Sequence, residues 1–205
     1  MSPAPHAPPR RGRRPPAPVP AFFLYGEPLQ APDERVVHVE TIAARSRLHD
    51  WVIRPHRHRD LHQILLTRRG RTEITLDGRA CVLRSPAAIV VPPGVVHSFG
   101  FQPDTVGLVI SFAAGLAREL SATTGGLLDF LERPAAVELD RASVEATDLD
   151  TLGEMLLREF LRSAPGRHAA LRGLLGALLA NLLRLARDAA PAATAAAPQE
   201  RELVA

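Results

Sequence analysis

Three histidines fall within seven positions of the segment RPHRHRDLHQ, residues 54–63. Side chains alternate between the two faces of an extended strand, so His56 and His58 project to the same side. Such a pair can chelate one metal ion or line one cavity, because imidazole nitrogens bind metals and form hydrogen bonds. Further along, VVPPGVVHSF places His97 at the start of a predicted strand, just after a Pro-Gly turn. We therefore expect His56, His58 and His97 to lie in one hollow.

Three interpretations of this histidine set remain open: a metal site, a metal-free ligand pocket, or structural histidines of a strand. On a regular strand His62 points to the face opposite Gln63, so only one of these two can join the set. Trp51 is a candidate for the protein core or for the floor of a pocket. Arg54 is a candidate partner for an anionic ligand or an ordinary surface residue.

Composition limits the classes of protein to which the chain can belong. The length of 205 residues suits one solid core, and no apolar run approaches the roughly 20 residues of a membrane span. A single cysteine, Cys81, excludes a disulfide within the monomer and fits a reducing compartment, so we expect a cytoplasmic protein. Residues 1–20 hold four of the 25 arginines and no acid, which leaves 21 arginines against 22 acids elsewhere. The basic charge therefore belongs to a Pro/Arg-rich tail that we expect to be disordered, and not to a folded face.

The remaining chain divides into a β-rich part and a helical part. Residues 21–112 contain about eight or nine short strands at close spacing, which favours an antiparallel sandwich or barrel over a parallel α/β sheet. In RTEITLD, Thr72 and Ile74 share one face, and Asp77-Gly78 follows as a tight turn. Residues 113–188 are predicted to be helical, and residues 189–205 form an Ala/Pro-rich linker or end.

Two amphipathic helices are expected in the helical part, separated by Pro165-Gly166. Asp148 is a suitable cap for the first helix. The second helix carries a leucine seam spaced 4, 3, 4, 3 over about two heptads, which predicts a helix-packing face. Its apolar surface is broad enough to meet both its own barrel and a second subunit. The seam consists of Leu171, Leu175, Leu178, Leu182 and Leu185.

Two motifs in the β-rich part resemble those of the cupin family. The resemblance implies a cupin-like antiparallel β-barrel (double-stranded β-helix) followed by a helical hairpin. It also implies a metal set in which the neutral Gln63 stands where metal-binding cupins usually have glutamate, which weakens cation binding. That set would be His56, His58, Gln63 and His97, with zinc, manganese, iron or nickel as candidate metals. The matching residues are His56, His58, Gln63 and Gly70, then Pro92, Gly94 and His97.

The arrangement of a short N-terminal segment, a barrel and a helical hairpin over residues 20–188 resembles the N-terminal half of AraC-type transcription regulators. The resemblance implies a small-molecule-sensing, homodimerising domain and not an enzyme. The candidate ligand-binding residues are Trp51, Arg54, His56, His58, Gln63 and His97. An aromatic acid is a candidate effector, because Arg54 could hold a carboxylate and Trp51 a ring. The alternative is a stand-alone, metal-dependent cupin oxygenase or isomerase.

DNA binding is not expected from this chain alone. Seventeen residues follow Asp188, fewer than the roughly 20 that one helix-turn-helix needs. A candidate within GLARELSATTGGLLDFLER has an acidic and apolar second helix, which suits neither groove nor phosphate contact. The expectation is a truncated regulator, a fragment, or a single-domain sensor; the sequence does not name its effector.

Overall fold

Two five-stranded sheets form the β-rich part. The structure, a computed structural model, describes residues 19–22 and 37–193. The front sheet has the order β1 (Ala21–Phe22), β3 (Val52–His58), β8 (His97–Phe101), β5 (Arg71–Leu76), β6 (Arg79–Arg84). The back sheet has the order β10 (Ala135–Glu138), β7 (Ala87–Val91), β4 (Leu61–Arg69), β9 (Val106–Ala113), β2 (Val37–Thr41). Neighbouring strands are antiparallel, except that β1 runs parallel to β3.

Local sequence pattern accounts for the strands and their turns. In β5, Thr72 and Ile74 are buried while Glu73 is exposed, as the alternation predicts. Asp77 and Gly78 join β5 to β6 with φ angles of 43° and 80°, as a two-residue hairpin turn of this sequence requires. Gly70 turns the chain between β4 and β5 with a φ of 106°, a conformation that other residues rarely adopt.

The two sheets face each other across an apolar interior. The front sheet contributes Ile53, Ile74 and Phe99, and the back sheet contributes Leu65 and Ile89. Seven consecutive residues of β4, Leu61 to Thr67, are buried, so this strand is covered on both faces. Its second face, with Ile64 and Leu66, belongs to a separate cluster that includes the C-terminal leucines.

Helices cover the back sheet on the side away from the interior. A short α1 (Ile42–Ser46) and a 3-10 turn (Arg47–His49) link β2 to β3. The remaining helices are α2 (Ala114–Ser121), α3 (Leu127–Leu131), α4 (Val144–Leu161) and α5 (Arg167–Ala193). Helices α4 and α5 form the expected helical hairpin, so the predicted architecture, mainly β with C-terminal helices, is confirmed.

Two details of the helical part differ from the sequence expectation. Helix α4 begins four residues earlier than Asp148, because Ser143 is its cap and accepts a hydrogen bond from the Ala146 amide at 3.0 Å. Strand β10 lies in the segment expected to be helical and pairs with β7.

The predicted tail over residues 1–20 lies outside the described residues except at its last two positions. In the predicted linker over residues 189–205, α5 continues to Ala193, and the rest lies outside the described residues.

The predicted leucine seam packs inside its own chain. Leu171, Leu175, Leu178 and Leu182 are at most 3% exposed and share one cluster with the back sheet, whereas Leu185 is half-buried. By length and composition the stretch Arg167–Asp188 could also cross a membrane, a property that core helices of soluble proteins share. Its buried leucines instead hold α5 against the barrel.

We expect Leu175→Ala to lower the free energy of unfolding by about 2–5 kcal/mol, because it leaves a cavity in the core cluster that the helices share with the back sheet. Leu161→Ala is the matched control, since Leu161 is 73% exposed and its truncation should change stability by less than about 0.5 kcal/mol. Urea unfolding of both variants measures the difference. Equal effects would contradict the packing of α5 described above.

Candidate functional site

The structure brings the three motif histidines together inside the barrel. His56 and His58 lie on β3, and His97 begins β8, where it pairs directly with His56 in the register of the two strands. The ring centroids of His56 and His97 are 4.1 Å apart, and one nitrogen from each of the three rings lies within 4.8 Å of the others. All three side chains are buried, at 1–2% exposure.

A backbone carbonyl holds the Nδ1 atom of each ring. His56 Nδ1 lies 2.8 Å from the Arg54 carbonyl oxygen, and His97 Nδ1 lies 2.9 Å from that of Val95. His58 Nδ1 lies 3.2 Å from the carbonyl oxygen of Phe22 in β1. A carbonyl oxygen only accepts, so each Nδ1 carries the proton and donates it. The lone pair of each neutral ring is therefore on Nε2, which is the arrangement found in metal-binding histidines.

Burial favours the uncharged, metal-binding form of the imidazoles of His56 and His97. It lowers the pKa of His56 to about 3, with a further contribution from the nearby His97. It also lowers the pKa of His97 to about 4, although the hydrogen bond to Val95 opposes the change. Nε2 of His97 is buried and has no hydrogen-bond partner among the described residues. The cluster thus offers lone pairs without a positive charge at neutral pH.

Gln63 and His62 point in opposite directions from β4. Gln63 lines the same cavity as His56 and donates a hydrogen bond from Nε2 to Ser111 Oγ at 3.3 Å. His62 lies on the helix side, where its ring stacks on Phe112 with centroids 5.3 Å apart, and burial lowers its pKa to about 4. Gln63 is therefore the residue of this pair that faces the interior.

A small cavity extends from the histidine cluster into the barrel. Its volume is about 30 Å³, which holds about two water molecules. The lining combines five polar and five apolar residues, so it offers hydrogen-bonding groups together with apolar surface. The polar residues are Glu40, Arg45, Ser46, His56 and Gln63, and the apolar residues are Ile53, Leu65, Phe99, Phe101 and Val109.

Sequence reasoning did not find Glu40 and Arg45, which form an ion pair on the cavity wall. Arg45 Nε lies 2.9 Å and 3.1 Å from the two carboxylate oxygens of Glu40. Burial alone would raise the pKa of Glu40, but His38 and Arg45 offset it and hold that pKa below its ordinary value. The available sequence feature was an acid and a base five positions apart, a spacing that gives no reason to expect an interior pair.

The structure places Trp51 and Arg54 away from the cavity lining. Trp51 is half-buried beside the barrel core, with the Arg47 guanidinium 5.8 Å from its ring centroid. Arg54 is exposed and lines a groove on the outer face of the front sheet. Its backbone carbonyl holds His56. A register shift between Ile53 and His56 interrupts the alternation of β3, so that Ile53 and His56 are buried whereas Arg54 is exposed.

The residues fit a divalent metal ion. Three neutral imidazoles on one small volume favour zinc, nickel or iron over magnesium or calcium, because nitrogen ligands suit the transition metals. Gln63 could add a neutral oxygen ligand. His56, His58 and His97 can therefore hold a metal ion, and the same set can form hydrogen bonds to an organic ligand.

The family model of the AraC-like ligand binding domain matches residues 38–199. This chain belongs to that family. The match covers most of the described barrel and helices, so the AraC-like ligand-binding domain includes both the histidine cluster and the helical hairpin. Effector binding and the cupin architecture expected from the sequence motifs are properties of this family, and the fold is that of a cupin.

Three proteins are similar to parts of this chain. Quercetin 2,3-dioxygenase from Bacillus subtilis (strain 168) is 33% identical over 79 residues, which make up 38% of this chain and 23% of that enzyme. The AraC-like transcriptional activator CuxR is 15% identical with a TM-score of 0.37, over 60% of this chain and 43% of CuxR. Apo ToxT K231A from Vibrio cholerae strain SCE256 is 6% identical with a TM-score of 0.46, over 74% and 56%. The chain spans less than two thirds of the length of each.

We expect the wild-type protein, purified without an affinity tag, to bind nickel or zinc, and His97→Ala to lose at least about 100-fold in affinity. His168→Ala is the control, because His168 is exposed on α5 and away from the cluster. Gln63→Glu should bind metal more tightly than wild type, since a carboxylate adds an anionic ligand. Competition with a chromophoric chelator gives the affinities. Equal affinity in His97→Ala and wild type would exclude the cluster as the metal site.

Proposed function

We propose that this domain senses a small molecule for an AraC-type transcription regulator in the cytoplasm. The effector would occupy the cavity that contains His56 and Gln63, and the domain would act as a binding module and not as an enzyme. The observation that carries the proposal is a cavity of mixed polarity between the two sheets, directly behind the back sheet on which the helices pack. Family membership supports the same function.

Strand β4 would carry the response from the cavity to the helices. Gln63 and Leu65 line the cavity, while Ile64 and Leu66 on the other face belong to the cluster that holds α4 and α5. At the end of the strand, Arg68 forms ion pairs with Asp150 and Glu154 of α4. A ligand that favours one position of β4 would shift the population of helix positions by its differential affinity.

The N-terminal segment would be a second element that responds. The Pro20 carbonyl accepts a hydrogen bond from the Arg57 amide at 3.2 Å, and the Phe22 carbonyl holds His58. A metal ion or effector that reorients His58 would change this second contact directly. The docking of β1 on the barrel is therefore coupled to the state of the histidine cluster.

DNA contact is assigned to a part of the regulator other than the described residues. The candidate helix pair in the sequence corresponds to α2 and α3, and α3 has only five residues. Leu127 and Leu131 of α3 are buried, and Asp129 adds a negative charge. A recognition helix needs a solvent-facing surface that complements phosphate and base edges, which this helix lacks.

We expect a subset of small aromatic acids and related compounds to raise the melting temperature of the wild-type domain. Val109→Trp fills the cavity and should abolish the ligand-dependent shift, whereas Val106→Trp on the same strand, where the side chain is 39% exposed, should preserve it. Thermal-shift measurement of the three proteins against one compound panel tests this. A panel without any stabilising compound, or equal shifts in Val109→Trp, would contradict sensing in the cavity.

The runner-up function is that of a metal-dependent cupin enzyme. The histidine cluster and the partial similarity to quercetin 2,3-dioxygenase favour it. A bound metal would supply Lewis-acid or oxygen-activating chemistry. Against it, Gln63 is neutral, and the one carboxylate among the described cavity residues, Glu40, is paired with Arg45. Oxygen uptake by the metal-loaded protein with a flavonol is the measurement that would favour this function.

We propose that a second copy packs on the exposed face of α5. The seam leucines are committed to the fold of one chain, but Ala169, Gly173 and Ala177 are exposed along the other side of the helix. A Cβ atom at Gly173 would meet nothing within 4 Å in this chain. Small residues at this spacing permit close approach of a second helix.

Ala177→Glu should convert a dimer into a monomer of 22.2 kDa, because it places a charge in the helix contact. Glutamate is a good helix former, so the fold should persist. Thr151→Glu, at an exposed position of α4, is the control and should leave the dimer intact. Light scattering after size-exclusion chromatography gives the masses. A wild-type protein that remains monomeric at high concentration would refute the contact.

A further inference from the structure

The Glu40–Arg45 ion pair forms part of the wall of the cavity that an effector would have to enter. Arg45 comes from α1 and Glu40 from β2, and their side chains are 17% and 18% exposed. Both belong to the cavity lining together with His56 and Gln63. The Arg45 guanidinium therefore presents its charge to the barrel interior and already binds a carboxylate there.

The cavity bounded by this pair is small for an organic ligand. Pockets for organic ligands are usually about 300–1,000 Å³, whereas this cavity measures about 30 Å³. A partly buried ion pair adds little to stability, because desolvation offsets much of the Coulomb attraction. A gain in stability is thus a weak reason for a charged pair on this wall. If Glu40 and Arg45 moved apart, the cavity would become larger and the Arg45 cation would become accessible to a ligand.

The Glu40 carboxylate has a second neighbouring side chain with which it can interact. His38 lies two residues earlier on β2, and its Nε2 is 3.8 Å from Glu40 Oε1. The carboxylate can therefore leave Arg45 without losing every favourable neighbour. Among the described residues, Arg45 and, when protonated, His38 are the charged groups that act on Glu40.

The remainder of the lining indicates the shape of the ligand. Phe99 and Phe101 have stacked rings with centroids 5.5 Å apart and planes 17° apart, and Val109 lies on the facing sheet. Such a surface suits a flat, apolar ring. Gln63 supplies a hydrogen-bonding group at the histidine end of the cavity.

We propose that Arg45 binds the carboxylate of a small aromatic acid, and that Glu40 holds this position when no ligand is bound. The ligand and Glu40 compete for one guanidinium, so the internal carboxylate sets the threshold for sensing. The assignment rests on the proposed function, since it requires the barrel cavity to be the effector site. In this assignment the carboxylate of the ligand binds Arg45, and its ring packs on Phe99 and Phe101. The sequence had suggested Arg54 for the carboxylate and Trp51 for the ring.

Benzoate and its neutral analogue benzamide test this assignment by isothermal titration calorimetry. Glu40→Gln keeps the size of the side chain but removes the competing charge, so it should bind benzoate about tenfold more tightly than wild type. Benzamide binding should not change. Arg45→Gln should lose the preference for benzoate over benzamide, and Arg54→Gln should behave like wild type because Arg54 is outside the cavity.

The double variant Glu40→Gln/Arg45→Gln removes both charges together, so it controls for the change in net charge that either single variant introduces. It should bind benzoate no better than benzamide. Equal binding of the two probes by all variants would overturn the carboxylate assignment and leave small-molecule sensing intact. Weaker benzoate binding by Glu40→Gln, or no binding by any variant, would also overturn it, and the wider compound panel would then decide the sensing function separately.

Discussion

The burial of β4 on both faces is the constraint on which the rest of this domain depends. A strand covered on both sides must be apolar at nearly every position, and alternation then decides which layer each side chain joins. Leu65 enters the barrel interior, whereas Ile64 and Leu66 join the helix layer. The same alternation places Gln63 in the cavity and buries His62 against Phe112. One strand therefore separates the ligand cavity from the helices by a single layer of backbone.

The histidine cluster is the place where this domain departs from the rule that interiors are apolar. Buried imidazoles are tolerated because backbone carbonyls satisfy each Nδ1–H, and because burial keeps the rings of His56 and His97 neutral. The Nε2 lone pair of His97 finds no protein partner among the described residues. Natural proteins accept the loss of stability from such an unsatisfied group mainly at functional sites. The histidine cluster that contains this group adjoins the cavity in which we propose ligand binding.

Several parts of the structure followed directly from local sequence. The His-x-His spacing places His56 and His58 on one face because strand alternation is a short-range property, whereas His97 joins them through the pairing of β3 with β8. The hairpin at Asp77-Gly78 and the break at Pro165-Gly166 were also predictable from local sequence. The cap of α4 was not, because Asp148 and Ser143 both have suitable side chains, and only the structure shows that Ser143 accepts the capping hydrogen bond from the Ala146 amide. Strand β10 was also missed, because it is held by pairing with β7 and not by its own pattern.

The sequence by itself indicated the class of the domain through two separate motifs, and it indicated the histidine pair on β3 and the amphipathic helices through spacings within about seven positions. Only the tertiary structure decided what those features face. The leucine seam of α5 is equally compatible with a second subunit and with its own barrel, and the position of the back sheet directs it to the barrel. The Glu40–Arg45 pair is polar and unremarkable in sequence, yet the link from β2 through α1 places it inside the cavity. Whether a side chain faces the core, the cavity or the solvent depends on contacts between distant segments of the chain, and local residue spacing does not specify these contacts.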